Sequence, residues 1–113
     1  MDKLTAIRQY LHQHPEVSQD EYETQKYLLN LLGEFNTDKV QKTANTGILV
    51  SFTGKSPGKN ILLRGDIDAL PIQETIDAPY KSVIKGVSHK CGHDGHATIL
   101  YGVASHFSEN RPE

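Results

Sequence analysis

Helical periodicity appears three times in this chain, twice before residue 36 and once after residue 93, and that placement most limits what it can fold into. Leu4, Ile7 and Leu11 recur at spacings of three and four, and Pro15 closes the segment, so a helix is expected over residues 2–13. Ser18-x-x-Glu21 reads as a capping box, in which the hydroxyl takes the amide proton three residues on and the carboxylate reaches back. Behind it, Thr24, Tyr27, Leu28, Leu31, Leu32 and Phe35 form one helix face ending near residue 35. The third stripe, Ile99, Leu100, Val103, Ala104 and Phe107, runs from Asp94, its expected N-cap.

The middle of the chain reads as strands. Val40 sits in a short polar segment of edge-strand type, and Ile48, Val50 and Phe52 alternate with Leu49 and Ser51 after Gly47. Ile61-Leu62-Leu63 is a short continuous apolar run, the pattern of a strand buried on both faces. Thr53 to Asn60 is rich in Gly, Ser and Pro and is expected to be the hairpin connection between those strands. Residues 72–87, with Pro79 and Gly86 as breakers, read as a long loop, and loops of that length in a small domain often cover a site. The fold class expected is α/β, a mixed β-sheet flanked by helices in a single domain of 113 residues, with a core kept modest by 36% hydrophobic content.

Charge and cysteine content narrow the partners. Twelve basic and 14 acidic residues give a net charge of −2 without runs of either sign, which argues against nucleic acid or an anionic membrane. The single cysteine excludes an internal disulfide and fits a reducing, cytoplasmic setting. The start, Met1-Asp2-Lys3-Leu4, lacks the apolar segment of a secretion signal. Gly54-Lys55-Ser56 has the end of a phosphate-binding loop but not its spacing, because position 49 would have to be Gly and is Leu. Arg64-Gly65-Asp66 matches an adhesion tripeptide, which a chain of this character has no use for.

The chemistry concentrates in His89-Lys90-Cys91-Gly92-His93-Asp94-Gly95-His96, which holds the only cysteine and three of the six histidines. A thiolate favoured by a helix N-terminus, beside imidazoles, suits zinc, and less exclusively nickel, cobalt or manganese. Two confident ligands, Cys91 and His93, are one fewer than a catalytic zinc takes from protein. Two other readings stay open at this point. Asp94 could cap a helix with His93 exposed and Cys91 a small buried filler, or Cys91 could be a nucleophile activated by His89 or His93. Asp66 and Asp68, two residues apart at the end of an expected strand, stand where α/β sheets place chemistry, although Asp beside turns often only satisfies loop amides.

Taken in order, the motifs resemble the beginning of a metal-dependent amidohydrolase family, that of hippurate hydrolase, N-acetyldiaminopimelate deacetylase and the plant auxin-conjugate hydrolases, related to aminoacylases and carboxypeptidase-type metallopeptidases. The matching stretches are Arg8-x-x-x-His12-x-x-Pro15-Glu16-Val17-Ser18 with Glu21 and Thr24, then Thr46-Gly47-Ile48, then Arg64 to Pro71, then His89 to His96. The resemblance implies a zinc-exopeptidase-like catalytic domain of which residues 1–113 are the N-terminal part. It implies two closely spaced divalent metal ions and hydrolysis of an N-acyl amino acid. It also implies Cys91 and His93 as ligands, Asp68 as the acid that orients a ligand, and Asp66, His89, Asp94 and His96 as residues around them. Ser88 and Lys90 depart from the family's usual Met and Ala. The family's general-base glutamate, in an adjacent Glu-Glu pair absent here, its further histidine ligands and its inserted dimerisation domain all lie downstream of the match. The short chain alone is therefore expected to turn over negligibly, or to act as a weak metal-binding or interaction module that self-associates through an uncovered sheet edge into a homo-oligomer.

Overall fold

The computed structural model describes residues 2–113, in the order α1 (Lys3–Gln13), α2 (Tyr22–Leu32), β1 (Lys39–Thr43), β2 (Gly47–Ser51) and α3 (His93–Glu109). Asp2 caps α1 by accepting the Thr5 amide at 2.7 Å, and its stripe buries Ile7 and Leu11. These pack with Leu28 and Leu32 of α2 and Ala97, Tyr101 and Ala104 of α3, while Ile48 and Val50 cover the cluster from β2. Tyr10 of α1 stacks on Tyr27 of α2 with ring centroids 3.9 Å apart. No helix among the described residues is long and apolar enough to cross a membrane.

The expected capping box does not form. Ser18 lies in a turn closed by the Asp20 amide on the Val17 carbonyl, with Gln19 left-handed at φ +74°, so the helix starts later, at Tyr22. Glu16 caps it from outside: its carboxylate accepts from the Glu23 amide at 3.2 Å and from both the Thr24 amide and hydroxyl at 2.6 Å. Glu21 is left free to take the Thr46 hydroxyl at 2.9 Å, and Gln25 donates to the Gly47 carbonyl at 2.9 Å, tying α2 to the hairpin.

The α/β class stands, with its regular sheet confined to one antiparallel pair, Lys39 opposite Ser51 through Thr43 opposite Gly47. Its connection is Ala44-Asn45-Thr46, with Ala44 and Asn45 both at positive φ, as tight hairpins require. The connection therefore precedes β2, and residues 53–60 join no second strand. Ile61, Leu62 and Leu63 are 87, 75 and 55% exposed, contrary to the strand buried on both faces. Such a run needs a neighbour on each side, and none lies there among the described residues. Two isolated bridges continue the architecture without extending the sheet, Val17 parallel to Ala69 and Leu70 antiparallel to Ser88. The radius of gyration, 15.0 Å, exceeds the about 13 Å of a compact chain this long, in keeping with that open side.

Helix α3 buries a different face from the one its aliphatic stripe suggests. Asp94, Ala97, Thr98, Tyr101 and Ala104 face inward, and Ile99 is 64% exposed. The small residues let α1 approach, and Leu4 comes within 3.7 Å of where a Cβ on Gly102 would stand. On the far side Leu100 lies over Gly65, where an added Cβ would come within 2.9 Å of it. Helix α3 thus packs on α1 with one face and carries apolar side chains on another, where Leu100 meets Gly65 and Ile99 stays exposed.

Candidate metal centre

The segment Ile67-Asp68-Ala69 is held extended by the Ala69 amide on the Glu16 carbonyl at 2.7 Å and by the paired Leu70 and Ser88 amides and carbonyls at 3.0 Å. That pairing carries Asp68 to the start of α3. The helix begins at His93 rather than Asp94, because Gly92 takes the N-cap position at φ +87°, a conformation glycine adopts without penalty. His93 and Asp68 meet as a result: Nδ1 lies 2.8 Å from Asp68 Oδ1 and 3.0 Å from the Asp68 carbonyl. Both neighbours are acceptors, so the neutral ring takes the tautomer with the proton on Nδ1 and the lone pair on Nε2. Asp66 Oδ2 is 3.8 Å from that Nε2, and the His96 ring lies 5.4 Å from the His93 ring, centroid to centroid. Cys91 is exposed.

These donors have the chemistry of a divalent-ion site: an imidazole fixed in one tautomer by a carboxylate, a thiol two residues before it, and a second carboxylate nearby. Among the described residues, however, no three His, Cys, Asp or Glu side chains converge so as to hold an ion. The residues fit part of a metal shell. The reading with His93 exposed and Cys91 buried does not describe this arrangement, since His93 is tied down and Cys91 is the exposed one. An activated thiol finds no base at either Nδ1, because that of His93 is committed to Asp68 and that of His89 is buried without a hydrogen-bond partner among the described residues.

Asp94 is not a helix cap. Its side chain is 1% exposed and faces α1, where Oδ2 takes Arg8 Nε at 2.9 Å and His12 Nδ1 at 2.8 Å, while Oδ1 takes the Gly95 amide at 2.9 Å. The other ring nitrogen of His12 meets Glu74 Oε1 at 2.8 Å, and Glu74 Oε2 meets Lys90 Nζ at 2.9 Å. His12 thus lies between the two carboxylates, one ring nitrogen turned to each. The chain of paired groups runs Arg8, Asp94, His12, Glu74, Lys90. The Lys90 ammonium first, and His12 after it, hold the Glu74 carboxyl below its ordinary 4.5. Burial pushes the His89 imidazole, 6.4 Å from the His12 ring, below its ordinary 6.5. The loop of residues 72–87 does cover this end of the molecule, with Tyr80 edge-on to His12 at 5.6 Å and Arg8 over its ring at 5.3 Å. Glu74 carried no signal of its own in the sequence; a carboxylate inside an aperiodic loop is found only once its partners are placed.

Residues 62–113 match the model of peptidase family M20/M25/M40. An N-acetyldiaminopimelate deacetylase of Bacillus velezensis is 45% identical over 107 residues, 94% of this chain and 29% of that protein. A protein of the same name from Enterococcus faecalis is 45% identical over 113 residues, 99% of this chain and 30% of its own length. Among solved structures, a Bacillus subtilis dinuclear metal-binding peptidase of the M20 family superposes with a TM-score of 0.91 at 37% identity, over 96% of this chain and 31% of that one. A putative aminohydrolase from methicillin-resistant Staphylococcus aureus gives 0.90 at 39%, over 96% and 29%. The chain thus spans about a third or less of the relatives it matches. Sequence and fold agree along nearly all of that span, and over it the chain is similar to members of peptidase family M20/M25/M40.

Proposed function

We propose that Cys91 and His93 supply ligands to a site for two divalent metal ions, zinc, manganese, nickel or cobalt, in a protein that hydrolyses the amide bond of N-acyl amino acids. The observation that carries this reading is the Asp68 carboxylate on His93 Nδ1, which leaves Nε2 as the ligating nitrogen and raises its basicity. The relatives' deacetylase names and the dinuclear centre of a structural neighbour support it. The ions, when bound, polarise the scissile carbonyl and lower the pKa of a water. His93 would hold its ion as a neutral imidazole, Cys91 as a thiolate, and Asp68 would keep the His93 tautomer fixed through the cycle. In this reading residues 1–113 are the N-terminal part of one catalytic domain of a cytoplasmic enzyme, and the general-base glutamate comes from outside them.

Hydrolysis of N-acetyldiaminopimelate and other N-acetyl amino acids by a full-length version tests this, with and without chelator and with His93→Ala. Turnover that needs metal and His93 is expected; turnover indifferent to both overturns the assignment. The absence of three convergent donors favours a second reading for the chain alone, a weak metal-binding module without turnover. Zinc titration of the chain beside Cys91→Ala decides it: tight stoichiometric binding that the variant abolishes would show a completed site.

A further inference from the structure

The charged chain behind the candidate ligands touches neither of them, yet it grips the loop that carries them at both ends. Lys90 precedes Cys91 and is held by Glu74; Asp94 follows His93 and is held by Arg8 and His12. One side chain joins the two grips, because His12 binds Asp94 through Nδ1 and Glu74 through Nε2, both at 2.8 Å. His12 and Asp94 are 6 and 1% exposed, so neither has water to fall back on. We propose that His12 is a positioning residue: anchored in α1, it fixes the span from Lys90 to Asp94 so that Cys91 and His93 stand ready for metal. The inference rests on the reading of Cys91 and His93 as ligands.

The geometry explains why an imidazole occupies this place. The span from Lys90 to Asp94 is the turn into α3, with a left-handed glycine at its centre, so its aim depends on what holds its two ends. An amide at position 12 could satisfy one carboxylate with a donor but would turn its oxygen toward the other. Only a group with two opposed N–H donors satisfies both acceptors at once.

The test measures zinc protection of Cys91 against alkylation in the wild-type chain, in His12→Gln, and in Leu32→Ala, a core variant that loses stability away from the loop. Amide hydrogen exchange over residues 91–95 is followed in the same samples. The expected result is zinc affinity at least about tenfold weaker in H12Q, as for other residues that orient ligands from behind, with L32A near wild type despite a lower melting temperature. Affinity in H12Q within twofold of wild type overturns the inference. If zinc gives no protection even in wild type, the partial site is too weak to report on His12, and exchange alone decides the positioning role. Faster exchange at 91–95 in H12Q than in L32A supports it, and equal exchange overturns it. Should H12Q not fold, Glu74→Gln, which keeps the shape and the His12 acceptor but cuts the Lys90 arm, carries the same comparison.

Discussion

Asp94→Ala is the sharpest test of the buried charge chain. The lost carboxylate is 1% exposed and accepts from Arg8, His12 and the Gly95 amide. The Arg8 and His12 side-chain bonds to this carboxylate are each worth about 1.5–3 kcal/mol. The Arg8 side chain, at 39% exposure, recovers water when its partner goes, so its share falls low in that range. His12, with its side chain only 7% exposed, does not. Relief from burying Asp94 itself offsets part of the loss, which leaves a net cost of about 3–4 kcal/mol, in line with breaking one side of a buried pair. A chain of this length gains unfolding entropy such that each kcal/mol moves the melting temperature by about 4 °C, so a fall of about 12–16 °C is expected by circular dichroism. Adding His12→Gln should then cost less than it does alone, by about 0.5–3 kcal/mol, because the two act as a unit. A fall below about 4 °C is what a solvent-exposed ion pair would give and would refute the reasoning.

Glu74 makes stability pH-dependent on the acid side. Its folded-state pKa lies below 4.5, so its contribution is complete above that value and is lost as pH falls through the folded value, where the unfolded carboxyl is already protonated. Melting temperatures from pH 7 to 3 should fall less steeply in Glu74→Gln below about pH 4.5 than in wild type; parallel curves would contradict this. Gly92→Ala meets no atom within 4 Å, so its cost is that of a left-handed backbone alone, about 1–2 kcal/mol or 4–8 °C, and an unchanged melting temperature would count against the φ of +87°. Leu62→Lys, on a strip 75% exposed at that residue, should suppress self-association in light scattering without lowering the melting temperature.

What the sequence discloses here is what depends on neighbours close along the chain. The three helices follow from stripes whose members lie three and four residues apart, and β2 follows from the alternation of Ile48 and Val50 around Leu49. What it conceals depends on partners far away. Glu16 displaced Ser18 as the cap because the turn at Gln19 moved the helix start, and a turn conformation is not written in a spacing rule. The apolar run Ile61 to Leu63 has strand composition, but a strand is a relation between segments and this one lacks its neighbours. The inward face of α3 was set by Asp94 reaching α1, which outweighed the aliphatic stripe through Ile99. At the candidate site, the cluster from His89 to His96 was visible at once, whereas the pairing of His12 with Glu74 and Asp94 crosses 62 and 82 residues.

That last separation has a consequence for how the chain is made. Asp94 is synthesised 82 residues after His12, and at 5–20 residues per second the interval is about 4–16 s. Until Asp94 is made, the Ile7 and Leu11 stripe lacks its α3 cover and His12 lacks its second carboxylate. The packing of α1 against α3 therefore cannot form until that interval has passed.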